Sequence, residues 1–247
     1  MGIPPWRVPR LIPRLGQSEV HIWRFDLSRA DPRYFALLSR EERTRAGAFY
    51  RSQDRDRYLS GRASLRLILS RYVDRPPQDL LIETGEAGKP ALAGIVGLEF
   101  NLTHSDDLSL LAVTRSGPIG IDVERVRADI DHAAIAGSDF SVQERAALKD
   151  LSPCDLMRRF SICWVRKEAY LKARGEGLAR PLGSFVVSIT DEARLVSDFE
   201  DPSATEHWRV DDVPCAPDYV AAVAYNARAC VSALLDGSAV TEQFSLV

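Results

Sequence analysis

Apolar and polar positions along this 247-residue chain alternate between two periods, and they do so twice in the same order. From about 54 to 72 ("DRDRYLSGRASLRLILSRY") and from about 153 to 174, apolar residues return at helical spacing over lengths too great for a strand. A shorter helix signal precedes each stretch. Ser39 with Glu42, and Ser141 with Glu144, have the spacing of a reciprocal capping box. Strand-like segments follow each, "GLEFNLTHSDDLSLLAVTR" at 97–115 and "HWRVDDVPCAPDYVAAVAY" at 207–225. The echo spans about a hundred residues, too long for a solenoid. It predicts an α+β fold made as a pseudo-dimer of two similar α+β halves, residues 1–118 and residues 119–247 with a C-terminal tail. Any shared site would lie in the cleft between them. Within this plan, 108–115 and 119–126, separated by Ser-Gly-Pro, predict a β-hairpin.

Two segments carry charge where the pattern is most apolar. In "IGIDVERV" (119–126) strand alternation points Ile119, Ile121 and Val123 one way and Gly120, Asp122 and Glu124 the other. Two carboxylates on one face describe either a solvated outer face or, with a glycine leaving room, a pair of ligands for a cation such as Mg²⁺. In "FSICWVRKEAYLKARGEGL" (160–178), Phe160, Cys163, Trp164, Lys167 and Leu171 form a core stripe, so Lys167 falls where an unpaired ammonium is costly. Trp164, Glu168 and Lys172 form the adjacent row. Taken alone, Glu168 and Lys172 have the spacing of an ordinary helix ion pair, worth a few tenths of a kcal/mol. Gly175 is placed to end the helix. Upstream, "GEAGKP" (85–90) reads as a turn presenting Lys89, and "NLTHSDD" (101–107) as a polar turn presenting His104.

Composition narrows the picture. No apolar run approaches the roughly 20 residues of a membrane span, and "MGIPPWRVPRLIPR" has neither a signal-peptide core nor, with Trp6 in place of Ser or Thr, a myristoylation signal. Cys154, Cys163, Cys215 and Cys230 lack the spacing of disulfide or metal sites, which suits a reduced, cytoplasmic protein. The net charge of −3 is unevenly spread: residues 1–75 hold sixteen arginines against eight acids. That excess points to an anionic ligand met from the N-terminal side. The arginines are scattered without interleaved aromatics, so nucleic acid is not the expected partner.

"GIDVE", then about forty residues on "WVRKEAYLKARG", with "GKP" and "NLTHS" upstream, resemble the large, Sfp-like 4′-phosphopantetheinyl transferases. The likeness in order runs from about residue 20 to about 225. It implies a two-half fold with the site between the halves. It also implies an activity: transfer of the phosphopantetheine arm of coenzyme A to a serine of an acyl or peptidyl carrier protein, releasing adenosine 3′,5′-bisphosphate. Carried over position by position, Asp122, Glu124 and Glu168 would hold Mg²⁺, with Glu168 and Lys172 catalytic. Lys89, Thr103, His104, Arg45, Arg57 and Lys167 would contact coenzyme A. Thr103 stands where many relatives have serine, and Glu42 stands near where they often have lysine. A site completed within one chain implies a monomer.

Overall fold

A computed structural model describes residues 5–9, 13–28, 30–85, 88–238 and 240. The chain begins with β1 (Trp6–Arg7) and β2 (Glu19–Asp26), then α1 (Tyr34–Leu37), α2 (Arg40–Gly47) and α3 (Ser52–Val73). Two antiparallel pairs follow, β3 (Ile82–Thr84) with β4 (Pro90–Leu92) and β5 (Glu99–Ser105) with β6 (Leu108–Thr114). The succession then recurs with β7 (Ile119–Arg125), α4 (His132–Asp139), α5 (Val142–Leu148) and α6 (Pro153–Arg174). Next come β8 (Phe185–Val187) with β9 (Leu195–Asp198), a short α7 (Ala204–His207), and β10 (Trp208–Asp212) with β11 (Tyr219–Asn226). The last strand among the described residues is β12 (Cys230–Asp236).

The repetition extends to the sheets. One is ordered β1-β12-β2-β6-β5 and the other β10-β11-β7, so β2-β6-β5 and β7-β11-β10 are the same three-stranded antiparallel unit. Their inner faces pack on each other through Val20, Ile22, Leu110, Ile119, Ile121, Val123 and Val223. The outer faces are covered by α3 and α6, each with its own apolar core. Alternation therefore sends the three apolar residues of β7 to the middle layer and leaves Gly120, Asp122 and Glu124 under α6.

Two sequence expectations are corrected. β6 and β7 do not form a hairpin, because β6 already has a full ladder on both edges, with β2 and with β5. The chain instead crosses to the second sheet, where β7 pairs with β11. β12, assigned by its position to the second half, lies parallel between β1 and β2 in the first sheet and covers the edge of β2.

The capping boxes form as the spacing predicts. Ser39 Oγ accepts from Glu42 N–H at 3.2 Å while Glu42 Oε2 accepts from Ser39 N–H at 2.9 Å. The Ser141–Glu144 pair does the same at 3.3 and 3.0 Å. Both glutamates are buried and do more than cap. Glu42 pairs with Arg62 and with Arg66 at 2.7 Å, and Arg66 also donates to the carbonyls of Pro77 and Leu80 at 2.8 and 2.9 Å. Glu144 pairs with Lys167 at 2.8 Å, and Lys167 also donates to the carbonyls of Leu182 and Phe185 at 2.8 and 2.7 Å.

That arrangement settles Lys167. It is fully buried, with its ammonium satisfied inside the second half by Glu144, rather than turned outward for the expected contact with coenzyme A. It holds the loop after α6 against α5, as Arg66 holds the loop after α3 against α2. Lys167→Ala leaves Glu144 charged and unpaired in the core, so a loss of about 3–5 kcal/mol is expected in denaturant unfolding. Removing the Glu144 carboxylate as well should recover part of it, since the orphaned charge carries much of the cost.

A second buried polar group gives the fold a pH dependence. Trp23 Nε1–H donates to Tyr72 Oη at 2.8 Å, and the Tyr72 hydroxyl meets His21 Nδ1 at 2.8 Å. The tyrosine oxygen is already an acceptor, so its proton goes to His21, which is thereby held as the neutral Nε2–H form. Burial pushes the His21 imidazole down to about 4, against the nearby Glu19 carboxylate. On acidification the unfolded chain is protonated first, so this contribution is complete above about pH 6.5 and lost as pH falls towards 4. The span corresponds to about 3 kcal/mol. Urea unfolding at stepped pH should show it, and His21→Gln should flatten that part of the profile.

Candidate active site

The site is built where β7 of one sheet meets β5 of the other, under α6. Gly120 brings α6 this close. A Cβ built there would lie 2.1 Å from the carbonyl oxygen of Ala169 and 2.3 Å from the amide nitrogen of Ala173. With no side chain at 120, the last two turns of α6 rest directly on β7, next to Asp122.

Asp122 is buried and uses one oxygen only. Its Oδ1 takes Lys172 Nζ at 2.6 Å and the Thr103 hydroxyl at 3.1 Å, while Oδ2 is buried with no donor among the described residues. Glu124 is half-buried and accepts the Ser105 hydroxyl on Oε2 at 2.9 Å. Glu168, one turn of α6 before Lys172, has a buried Oε1 that also lacks a donor among the described residues. Burial pushes the carboxyls of all three up, and the Asp122 charge raises Glu124 and Glu168 further, against the pull of Lys172. Such crowding costs stability and marks sites kept for chemistry. Among the described residues, no group of three or more His, Cys, Asp or Glu side chains is arranged to hold a metal ion as it stands. Here Lys172 is the cation that partners Asp122.

The other residues named from the sequence fall into place unequally. Thr103 is central. Lys89, from the loop between β3 and β4, donates to the carbonyl of Ile119 at 2.7 Å, at the start of β7, and its burial lowers its pKa. His104 belongs to β5 rather than to a turn; the turn is at Asp106, with φ 48°. The His104 side chain is exposed, and partial desolvation of its ring, with the charges of Arg57 and Lys172, lowers its pKa. Arg57 is held by Asp107 at 2.7 Å. Arg45 stacks over Tyr58 in a cleft that Arg62, Leu81 and Thr84 also line.

Asn101 and Ser105, not singled out in the sequence, share the Thr103 face of β5. Asn101 Oδ1 accepts from the amide of Ile121 at 2.8 Å and Ser105 Oγ from that of Arg125 at 3.0 Å. Period-2 alternation in "NLTHS" was the signal that could have found them. Beside Glu124 opens an apolar groove lined by Ile130, Ile135, Phe160 and Trp164, with Phe160 and Trp164 stacked at 5.9 Å.

Comparison with known proteins agrees with this geometry. Residues 118–224 match the model of the 4′-phosphopantetheinyl transferase superfamily, and residues 27–116 match that of the 4′-phosphopantetheinyl transferase N-terminal region. The chain is 38% identical to the 4′-phosphopantetheinyl transferase HetI of Nostoc sp. over 169 residues, which is 66% of this chain and 71% of that one. The chain belongs to the 4′-phosphopantetheinyl transferase family. It is also 30% identical to the 4′-phosphopantetheinyl transferase Sfp of Bacillus subtilis, covering 72% of this chain and 80% of that one. With psf-1 of Bacillus pumilus the identity is 31%, covering 71% and 75%.

This transferase has two similar halves but builds the acidic cluster in one. The ladders Val20–Asp26 on β6 and Ile119–Arg125 on β11 correspond end to end, which sets Gly120, Asp122 and Glu124 against His21, Trp23 and Phe25. The equal lengths of α3 and α6 likewise set Glu168 against Leu67. In the first half those positions are core: Trp23, Phe25 and Leu67 pack in one apolar cluster.

Proposed function

We propose that this chain transfers the 4′-phosphopantetheine arm of coenzyme A to a serine of an acyl or peptidyl carrier protein, with Mg²⁺ at the β5–β7 junction. The observation that carries the reading is the pair of buried carboxylate oxygens without donors, Asp122 Oδ2 and Glu168 Oε1. Orphaned carboxylate oxygens in a buried cluster fit a hard cation that prefers oxygen ligands. Asp122, Glu124 and Glu168 would hold it. When bound, Mg²⁺ neutralises charge on the pyrophosphate and serves as a template for it.

The chain's own residues do the rest. Glu168, whose carboxyl is raised by burial, takes the proton from the attacking serine hydroxyl. Lys172 turns its ammonium to the departing phosphate, one helical turn from the base. Lys89, Thr103, His104, Arg57 and Arg45 bind the coenzyme A phosphates, with Arg45 and Arg57 drawn from the arginine-rich N-terminal stretch. The serine approaches along the apolar groove beside Glu124. Among the described residues no helix is long and apolar enough to cross a membrane. A monomer acting in the cytoplasm, without nucleic acid, suits a site completed within one chain.

The test is intact-protein mass spectrometry of several apo-carrier proteins incubated with coenzyme A and Mg²⁺. One phosphopantetheine unit should be gained by at least one carrier and none should be gained in EDTA. Folded protein that adds nothing to any of them would refute the proposal.

A further inference from the structure

We propose that Ser105, assisted by Asn101, is a positioning residue that sets how β7 presents its carboxylates to the cation; this rests on the function proposed above. β5 and β7 are both edge strands, each in a different sheet, and no backbone ladder joins them. Two outward amides of β7 are instead taken by β5 side chains, Ile121 N–H by Asn101 Oδ1 and Arg125 N–H by Ser105 Oγ. These two bonds, four residues apart on β7, fix the height of the strand against the other half of the molecule.

Ser105 does a second thing. Because its oxygen accepts from Arg125 N–H, its one proton is aimed at Glu124 Oε2, 2.9 Å away. Thr103 likewise donates to Asp122 Oδ1, which leaves Oδ2 open. Each carboxylate is therefore tethered through one oxygen by a hydroxyl from the opposite half, and Asp122 Oδ2 is left for the cleft. A ligand held in this way needs little reorganisation on binding, and loss of such an outer partner commonly lowers metal affinity 10–100-fold. Asn101 supplies height alone, since its amide meets backbone and not carboxylate.

The experiment is a Mn²⁺ titration by electron paramagnetic resonance, with coenzyme A present, on the full-length protein and on S105A, S105C and S105T. S105A and S105C should raise the Mn²⁺ dissociation constant about tenfold or more. The Mg²⁺ concentration for half-maximal transfer should rise in step, and KM for the carrier should stay unchanged. S105T keeps the hydroxyl and should return the affinity to within about threefold. Melting curves without divalent ions confirm folding, and S105C preserves side-chain volume should S105A fail to fold. Mn²⁺ affinity in S105A and S105C within twofold of the parent overturns the inference, as does an equal loss in S105T. If the parent itself neither binds Mn²⁺ nor transfers, the proposed function fails and takes this inference with it. If the parent does both and S105A matches it, only the positioning role fails.

Discussion

Asp122→Ala should lower transfer by about a thousandfold or more while leaving the protein at least as stable as before. The first half of that expectation follows from placement. Asp122 is the carboxylate to which β5, β7 and α6 all contribute: Thr103 and Lys172 hold one oxygen and the other is open. Removing it takes a ligand from the proposed cation and frees Lys172 from its resting partner. The second half follows from energetics. Three carboxyls raised by burial lie close together, and deleting one relieves both desolvation and mutual repulsion. Lys172 is partly exposed and can turn to water, so it is not stranded. Activity per mole of folded protein and a melting curve, measured side by side, check it. Near-parental transfer by Asp122→Ala would remove Asp122 from the chemistry.

Gly120→Ala should be the most damaging of the small substitutions to the fold. A methyl group there meets the carbonyl oxygen of Ala169 at 2.1 Å and the nitrogen of Ala173 at 2.3 Å. Both are backbone atoms inside a 22-residue helix, so neither can move aside alone. The whole of α6 must shift off β7, and with it Glu168 and Lys172. Overpacking usually costs about 1–3 kcal/mol, and a helix-on-strand contact of this kind belongs at or above the top of that range. Denaturant unfolding should show a loss of at least about 3 kcal/mol, and whatever remains folded should transfer poorly. An unchanged midpoint would mean that α6 does not rest on β7 as described.

Much of this was legible in the sequence because it is encoded locally. The two capping boxes, the helix over 153–174 and its glycine stop depend on contacts a few residues apart, and they form where their spacing puts them. The facing of β7 was equally readable, since strand alternation alone sends Ile119, Ile121 and Val123 one way and Asp122 and Glu124 the other. The repeat of these signals even announced the two-half architecture.

What the tertiary structure decided was which partner each surface takes. "LSLLAVTR" and "IGIDVERV" look like a hairpin because sequence shows only that both are strands; β2 and β5 occupy both edges of β6, so β7 has to leave. Lys167 and Lys172 sit in one helix, and helical spacing puts only Lys167 in the core stripe, but nothing local names the partner of either. Glu144, 23 positions before Lys167 and on another helix, draws it into the core; Asp122, 50 positions before Lys172, draws that one to the cleft. Local hydrogen bonds and alternation can be read along a chain. Ion-pair partners and strand neighbours are chosen by competition among surfaces that meet only after folding.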